Sequence, residues 1–390
     1  MHYNFDKIIN RDHTASVKFD LRKEVFGKED ILPMWVADMD FKTPDFVIEA
    51  LKKRLEHPIL GYSYRPDSYY RSIINWVKRR HQWIIKKEWI SFSPGIVPAI
   101  NMAIMAYTEP GDKIIVQPPV YHPFFSAIKN NNRIQVDNPL KLQNGRYFID
   151  FKDLKVKLKD AKMILLSNPH NPGGSVWTKE ELQTLGELCV ENDVLIMADE
   201  IHSDLVFNPA KYVPMASLSR EITHQTVTFI APSKTFNMAG LATSSVVISN
   251  NILKEKFDQI LDTIHIGMGN IFGTVASEAA YTHGDEWLDE LLEYLSQNMD
   301  YVVQFITEYL PEIKVIRPEG TYLMWLDCSG LKLKNKDLKD FMIQDAELGF
   351  NDGRMFGTRG EGFMRMNVAC PKKTLEIALN KFKVAINKIK

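Results

Sequence analysis

Residues 231–240 read APSKTFNMAG, with Lys234 set between a serine and a threonine at the end of the apolar run TVTFIAP (226–232). Lysine is seldom buried unless it is paired. The other lysines lie mostly in mixed stretches such as KVKLKDAK and KNKDLKD. A lysine at the end of a strand-like run is therefore either a solvated loop residue or part of a site, and its neighbours separate the two readings. KIIVQPP (113–119), KMILLSN (162–168) and DVLIMAD (193–199) are also short aliphatic runs that end in polar or turn residues. Tyr121 follows the first, Asn171 follows the second in NPHNPGG, and Asp199 ends the third. In an open parallel sheet, ligands bind outside the carboxyl ends of the strands. An aromatic ring, an amide, a carboxylate and an amine would then converge on one edge.

The segments between these runs support such a sheet. KEELQTLGELCVEN places Leu182, Leu185, Leu188 and Cys189 at helical spacing, and Thr178 with Glu181 forms a capping box ahead of it. Strands alternating with helices predict a mostly parallel sheet covered on both faces, an α/β fold. After residue 284 the pattern changes. DEWLDELLEYLSQNMDYVVQFITEYLPE predicts one long amphipathic helix, with Asp285 as N-cap and Pro311 as its stop. KVIRP, TYLMWLD and GFMRMNVAC follow as strand-like runs, and PKKTLEIALNKFKVAINKIK closes the chain as a helix. The expected division is a large domain over 48–284 and a smaller α+β domain over 285–390. Residues 1–47 join the smaller one, because LPMWVADMDF is too apolar for a free tail.

Bulk properties narrow the function classes. The 390 residues are 45% hydrophobic and 25% charged, with a formal net charge of -1. That composition is globular and carries no field to draw nucleic acid or an anionic membrane. Three cysteines, far apart, suggest neither a disulfide framework nor a thiolate metal site. The charged start MHYNFDKIINRDHT lacks the apolar core of a signal peptide, and no apolar run approaches the ~18 residues of a membrane span. A cytoplasmic protein is expected. Glu200, His202 and Asp204, with His122 and His170, match no metal-ligand spacing, and no metal is expected. His202 reads more simply as a supporting or packed loop histidine.

A fifth element, ISFSPGIVPAINMAIMAY (90–107), runs from a strand-like start through Ser-Pro-Gly into a helix. A helix that opens on glycine presents backbone N–H groups to an anion. A phosphate cradle, a ring, an amide, a carboxylate and an amine together suit pyridoxal phosphate. Its aldehyde condenses with a lysine, and its pyridine nitrogen pairs with an acid. Burial and a cationic neighbour lower a lysine from its usual pKa of about 10.4, making it a nucleophile and base near neutrality.

From MWVADMDF (34–41) through SPGIVPAI, PPVYHPFF, NPHNPGGSVWT, DEIHSDLV, APSKTFNMAGL and PEGTYLMWLD to EGFMRMNVACP, the sequence resembles the fold-type I pyridoxal-phosphate enzymes of the class I/II aminotransferase superfamily. More narrowly it resembles the bacterial cystathionine β-lyase and cysteine C–S lyase group. The resemblance implies a large domain with a mostly parallel sheet between helices, and a smaller α+β domain. It implies Lys234 as the Schiff-base lysine and later acid/base at Cα, Asp199 on the pyridine nitrogen, and Asn171 on the phenolic oxygen. Tyr121 would stack on the ring. Gly95, Ile96, Val97 and Ser233 would hold the phosphate, and Arg365 would grip the substrate carboxylate. Tyr62, with Tyr64 as the alternative, would reach the cofactor of the partner subunit in a homodimer.

Many transaminases of the superfamily carry an arginine eight residues after the lysine, where this chain has Ala242. The departure favours α,β-elimination from L-cystathionine or a related S-substituted cysteine. A thiol of pKa about 8.5 leaves more readily than hydroxide, whose parent water is near 15.7. The rival expectations are an aminotransferase using the same residues, and a regulatory protein that retains the pocket.

Overall fold

The computed structural model describes residues 3–333 and 335–389. At its centre is a seven-stranded sheet in the order Ile90–Ser93, Ser244–Ile248, Thr226–Ile230, Leu195–Asp199, Ala161–Ser167, Lys113–Val116, Ile134–Asp137. All pairings are parallel except the two made by Ser244–Ile248, which runs against both neighbours. The aliphatic runs take this form because a central parallel strand is buried on both faces and needs apolar side chains at every position. Alternation then divides each run between two layers. Ile164, Leu166, Ile196 and Ala198 pack with Leu182, Leu185 and Cys189 on one side. Met163, Leu165, Met197 and Phe229 pack with Ala99, Ile100 and Ala103 on the other.

Local signals set the helix boundaries. Thr178 Oγ1 accepts the Glu181 N–H at 3.2 Å and the Glu181 carboxylate accepts the Thr178 N–H at 2.9 Å, so the capping box is formed. The long helix spans Asp285–Tyr309, but its N-cap is Gly284 rather than Asp285. Residue 284 must itself be glycine, since a Cβ there would stand 2.3 Å from the Phe236 ring. Asp285 instead lies in the first turn, where its carboxylate favours the helix dipole and meets Arg79 at 2.8 Å.

A second, antiparallel sheet has the order Lys314–Ile316, Leu323–Asp327, Phe363–Asn367, Asn351–Asp352. The N-terminal segment reaches it through Leu32–Pro33, which pairs in parallel with Leu348–Gly349. Residues 34–41 then cross between the two sheets, with Met34, Met39 and Phe41 in a core that also holds Phe236, Trp287 and Tyr322. Ion pairs anchor this crossing. Arg11 holds Asp38 at 2.6 Å and Asp40 at 2.7 Å, and Lys18 holds Asp40 at 2.9 Å. The Lys18 side chain is only 1% exposed, so its charge depends on these carboxylates. Arg11 still holds Asp40 when Lys18 is removed, so the loss falls at the lower end of that for breaking a buried pair. Lys18→Met is therefore expected to lower unfolding stability by about 3 kcal/mol, measured by urea titration. An unchanged urea midpoint would mean that the pair is solvated.

Candidate active site

The parallel register brings the strand ends level. Ser167 pairs with Asp199, and Asp199 with Phe229. Each chain then turns outward at the same edge, and a cavity of about 220 Å³ forms there. Gly95, Ile96, Val97, Tyr121, Asn171, Asp199, Ser233 and Lys234 all line it. Arg365 joins through Asn171, which it meets at 2.9 Å. Tyr62 and Tyr64 are not brought in. They are 96% and 83% exposed, in an irregular segment between helices Asp45–Leu55 and Asp67–His81.

Three charged groups here are largely out of water. Burial pushes the Asp199 carboxyl up to about 7, against the Ile201 N–H and the Lys234 charge, which favour ionisation. Burial pulls the Lys234 amine down to about 8, opposed by Asp38 and Asp199 and reinforced by Arg365. Its Nζ donates to the Ala37 carbonyl at 2.5 Å. Burial also lowers Arg365, to about 10, with Tyr121 and Tyr322 acting the other way. Tyr121 is raised by burial and then by Asp199, and so is held as the neutral phenol.

Arg365 is the most telling of these. It lies opposite Asn351 in the small sheet, on the same face as a cross-strand pair. Its Nη2 donates to Asn351 Oδ1 at 2.6 Å and to the Trp35 carbonyl at 3.0 Å, and the guanidinium stands 4.9 Å from the Phe356 ring. Among the described residues Nε has no partner and no carboxylate pairs with this cation. A buried charge without a counterion is costly, and a bound carboxylate would relieve it bidentately. Because a guanidinium only donates, Asn171 must turn Oδ1 toward Arg365. Its Nδ2 donors are then left for the cavity.

At the opposite end, the helix Ile96–Tyr107 begins at Gly95 with no side-chain cap. Its first N–H groups and dipole offer an anion site, with Ser233 and Thr243 in the same wall. Several lining residues escaped the sequence reading. Ser167 was accessible to the strand-end argument, since it is level with Asp199. Ala37 carried no signal, because it contributes a main-chain carbonyl. His202 is buried, as a packed loop histidine is, and it also lines the cavity, with its Nδ1 unpartnered among the described residues. Glu200 and Asp204 face elsewhere, Glu200 to Tyr212 and the Met215 N–H, and Asp204 to Trp76, His81 and Thr235. Among the described residues no three His, Cys, Asp or Glu side chains stand together as metal ligands. No described helix is long and apolar enough to cross a membrane.

The low amine pKa is directly measurable. In protein freed of small molecules, trinitrobenzenesulfonate labelling of Lys234, followed by peptide mapping, is expected to rise through about pH 8. A rise only near the ordinary lysine value of about 10.4 would mean that the amine is hydrated.

The chain matches known proteins over most of its length. Residues 29–382 match the family model described as aminotransferase class I and II. It is 45% identical over 386 residues to cystathionine beta-lyase PatB of Bacillus subtilis, covering 98% of this chain and 100% of that protein. The structure of cystalysin from Treponema denticola, containing pyridoxal 5'-phosphate, superposes with a TM-score of 0.97 at 37% identity, covering both chains fully. The pyridoxal-phosphate-bound C–S lyase from Staphylococcus hominis gives 0.92 at 35% identity over 98% of each chain. With a seven-stranded sheet and a strand-edge site to match, the chain belongs to the class I and II aminotransferase family.

Proposed function

We propose that this chain is a pyridoxal-phosphate-dependent carbon–sulfur lyase. It takes L-cystathionine, or a related S-substituted L-cysteine, and water to the free thiol, pyruvate and ammonia, the thiol from cystathionine being homocysteine. One observation carries the reading: a depressed amine and a buried carboxyl line one cavity, whose Asn171 meets a buried guanidinium that has no carboxylate partner among the described residues. Relatives named as cystathionine beta-lyase and C–S lyase support it.

The donor set suits the cofactor. Asp199, buried and short of a cation, would pair with the ring nitrogen; Asn171 Nδ2 would donate to the phenolic oxygen; Tyr121 would cover the ring. Gly95, Ile96, Val97 and Ser233 would hold the phosphate. When bound, the cofactor supplies an aldehyde that condenses with an amine and a ring that accepts an electron pair. Arg365 Nε, unpartnered among the described residues, would take the substrate carboxylate and fix the direction of the Cα–H bond. Lys234 Nζ, half neutral at about pH 8, would remove the Cα proton. Ala242 presents a methyl group to the cavity, in the place where many transaminases of the superfamily carry an arginine.

Incubation with L-cystathionine tests the reaction. Pyruvate and homocysteine should appear in equal amounts, and Lys234→Ala should abolish both while keeping the melting temperature. Conversion of the cofactor to its amine form without thiol would instead establish transamination, and Lys234→Ala with full activity would overturn the assignment of the amine.

We further propose that the protein is a cytoplasmic homodimer. Three free, buried cysteines accord with a reducing compartment. Ile59, Leu60, Tyr62 and Tyr64 leave an apolar segment exposed, as surfaces that meet a partner do. A second copy would bury it and bring Tyr62 to the neighbouring site. Lys234→Ala and Tyr62→Ala chains, each inactive alone, should regain part of the activity when refolded together. No recovery in mixed dimers would place Tyr62 outside the partner's site.

A further inference from the structure

Behind Lys234 lies a group of buried polar side chains that the proposed reaction does not use. Asp204 Oδ1 accepts from Trp76 Nε1 at 2.9 Å and meets His81 Nε2 at 2.8 Å, while Oδ2 accepts from the Thr235 hydroxyl at 2.7 Å. Burial acts to raise the Asp204 carboxyl, and the bonds from His81, Thr235 and Trp76 overcome it, so the group lies below the usual carboxylate range. None of these four residues lines the cavity around Lys234.

Thr235 directly follows the reactive lysine and ends a helix of one turn, Pro232–Thr235. One turn fixes several dihedrals for little hydrogen bonding and does not hold its shape alone. External ties must hold it, and they come from both sides. In front, Lys234 Nζ bonds the Ala37 carbonyl, and Asn237 bonds the backbone of Met39 and Phe41. Behind, Asp204 takes the Thr235 hydroxyl. An ionised carboxylate costs several kcal/mol to bury, where an apolar side chain would fill the space without that cost. Its benefit here is direction, since three fixed donors leave the carboxylate one orientation.

We propose that Asp204, held by Trp76 and His81, is a positioning residue for Lys234, acting through Thr235 to fix the turn from which the amine works. The proposal rests on Lys234 being the reactive amine, as argued above. A cavity of about 660 Å³ opens on the outer side of the pair, lined by His81, Asp204 and Tyr212. The His81 ring stands 4.8 Å from that of Tyr212, which bonds Glu200, the neighbour of Asp199. The same group of side chains thus borders the backbone of both the amine and the carboxylate.

Thr235→Val removes the hydroxyl at nearly constant volume, and Thr235→Ser keeps it. In the holoenzyme, Thr235→Val is expected to lower kcat about ten- to a hundredfold, as loss of an outer-shell partner typically does, with KM nearly unchanged. Cofactor uptake by the apoprotein, followed by absorbance, should slow in parallel. Thr235→Ser should restore both. His81→Ala should show the same loss, relieved by added imidazole entering through the outer cavity. Wild-type kcat and uptake in Thr235→Val, a change confined to melting temperature, or a loss that Thr235→Ser does not restore would overturn the proposal. Failure of the lysine assignment reads out separately, as elimination that survives Lys234→Ala.

Discussion

The removal of Asp199, Lys234 and Arg365 from water is the constraint on which this structure turns. Each charge alone would be expensive to bury, and among the described residues they do not neutralise one another by direct ion pairs. Instead Asp199 and Lys234 share a cavity that Arg365 reaches through Asn171, and each of the three is shifted toward its neutral form. The protein holds them in a state that a cationic ring nitrogen, a carbonyl and a carboxylate would relieve. Reactivity here is a property of dehydration, and the surrounding fold exists to keep the water out.

Much of that exclusion is done by main chain. Residues 35–41 are tied to both sheets. Asn367 Nδ2 bonds the carbonyls of Val36 and Asp38, both at 2.6 Å, and the Tyr322 hydroxyl bonds that of Ala37 at 2.9 Å. From the large sheet's side come Asn237 and Lys234. A segment with so many carbonyl contacts is specified less by its own side chains than by the amides that reach it. Asp38 and Asp40 are the exception, and their partners Arg11 and Lys18 are local.

What could be read from the sequence follows from this division. Four central strands announced themselves because burial on both faces demands unbroken apolar runs, and Tyr121, Asn171, Asp199 and Lys234 stood out as polar residues at the ends of such runs; Ser244–Ile248, buried throughout but opening on two serines, was not among them. Nor was the edge strand Ile134–Asp137, since its Ile134 and Gln135 are exposed and its composition is mixed. Arg365 came only from resemblance. That no carboxylate among the described residues pairs with it is a fact of three dimensions, to which the register contributes by setting Asn351 opposite it. The need for glycine at 284 was illegible too, because the Phe236 ring that requires it lies far away in sequence. That His202 lines the cavity is likewise a matter of three dimensions, and its ring packs edge-on to that of Tyr322.

The reversed strand Ser244–Ile248 has a consequence for how such a site can change. In a parallel strand only the residue after the end reaches the binding edge. A strand running the other way begins there, and Thr243 and Ala242 therefore sit in the cavity wall just before it. The chain from Ala231 to Thr243 leaves and re-enters the sheet at one edge, between neighbouring strands locked by the pairing of Ser245 with Ile230. The lysine and the opposite wall are thus two ends of a single short excursion, anchored at both feet. Replacing a wall residue such as Ala242 alters the chemistry offered to a ligand at a point of the chain whose two ends are fixed by the paired strands.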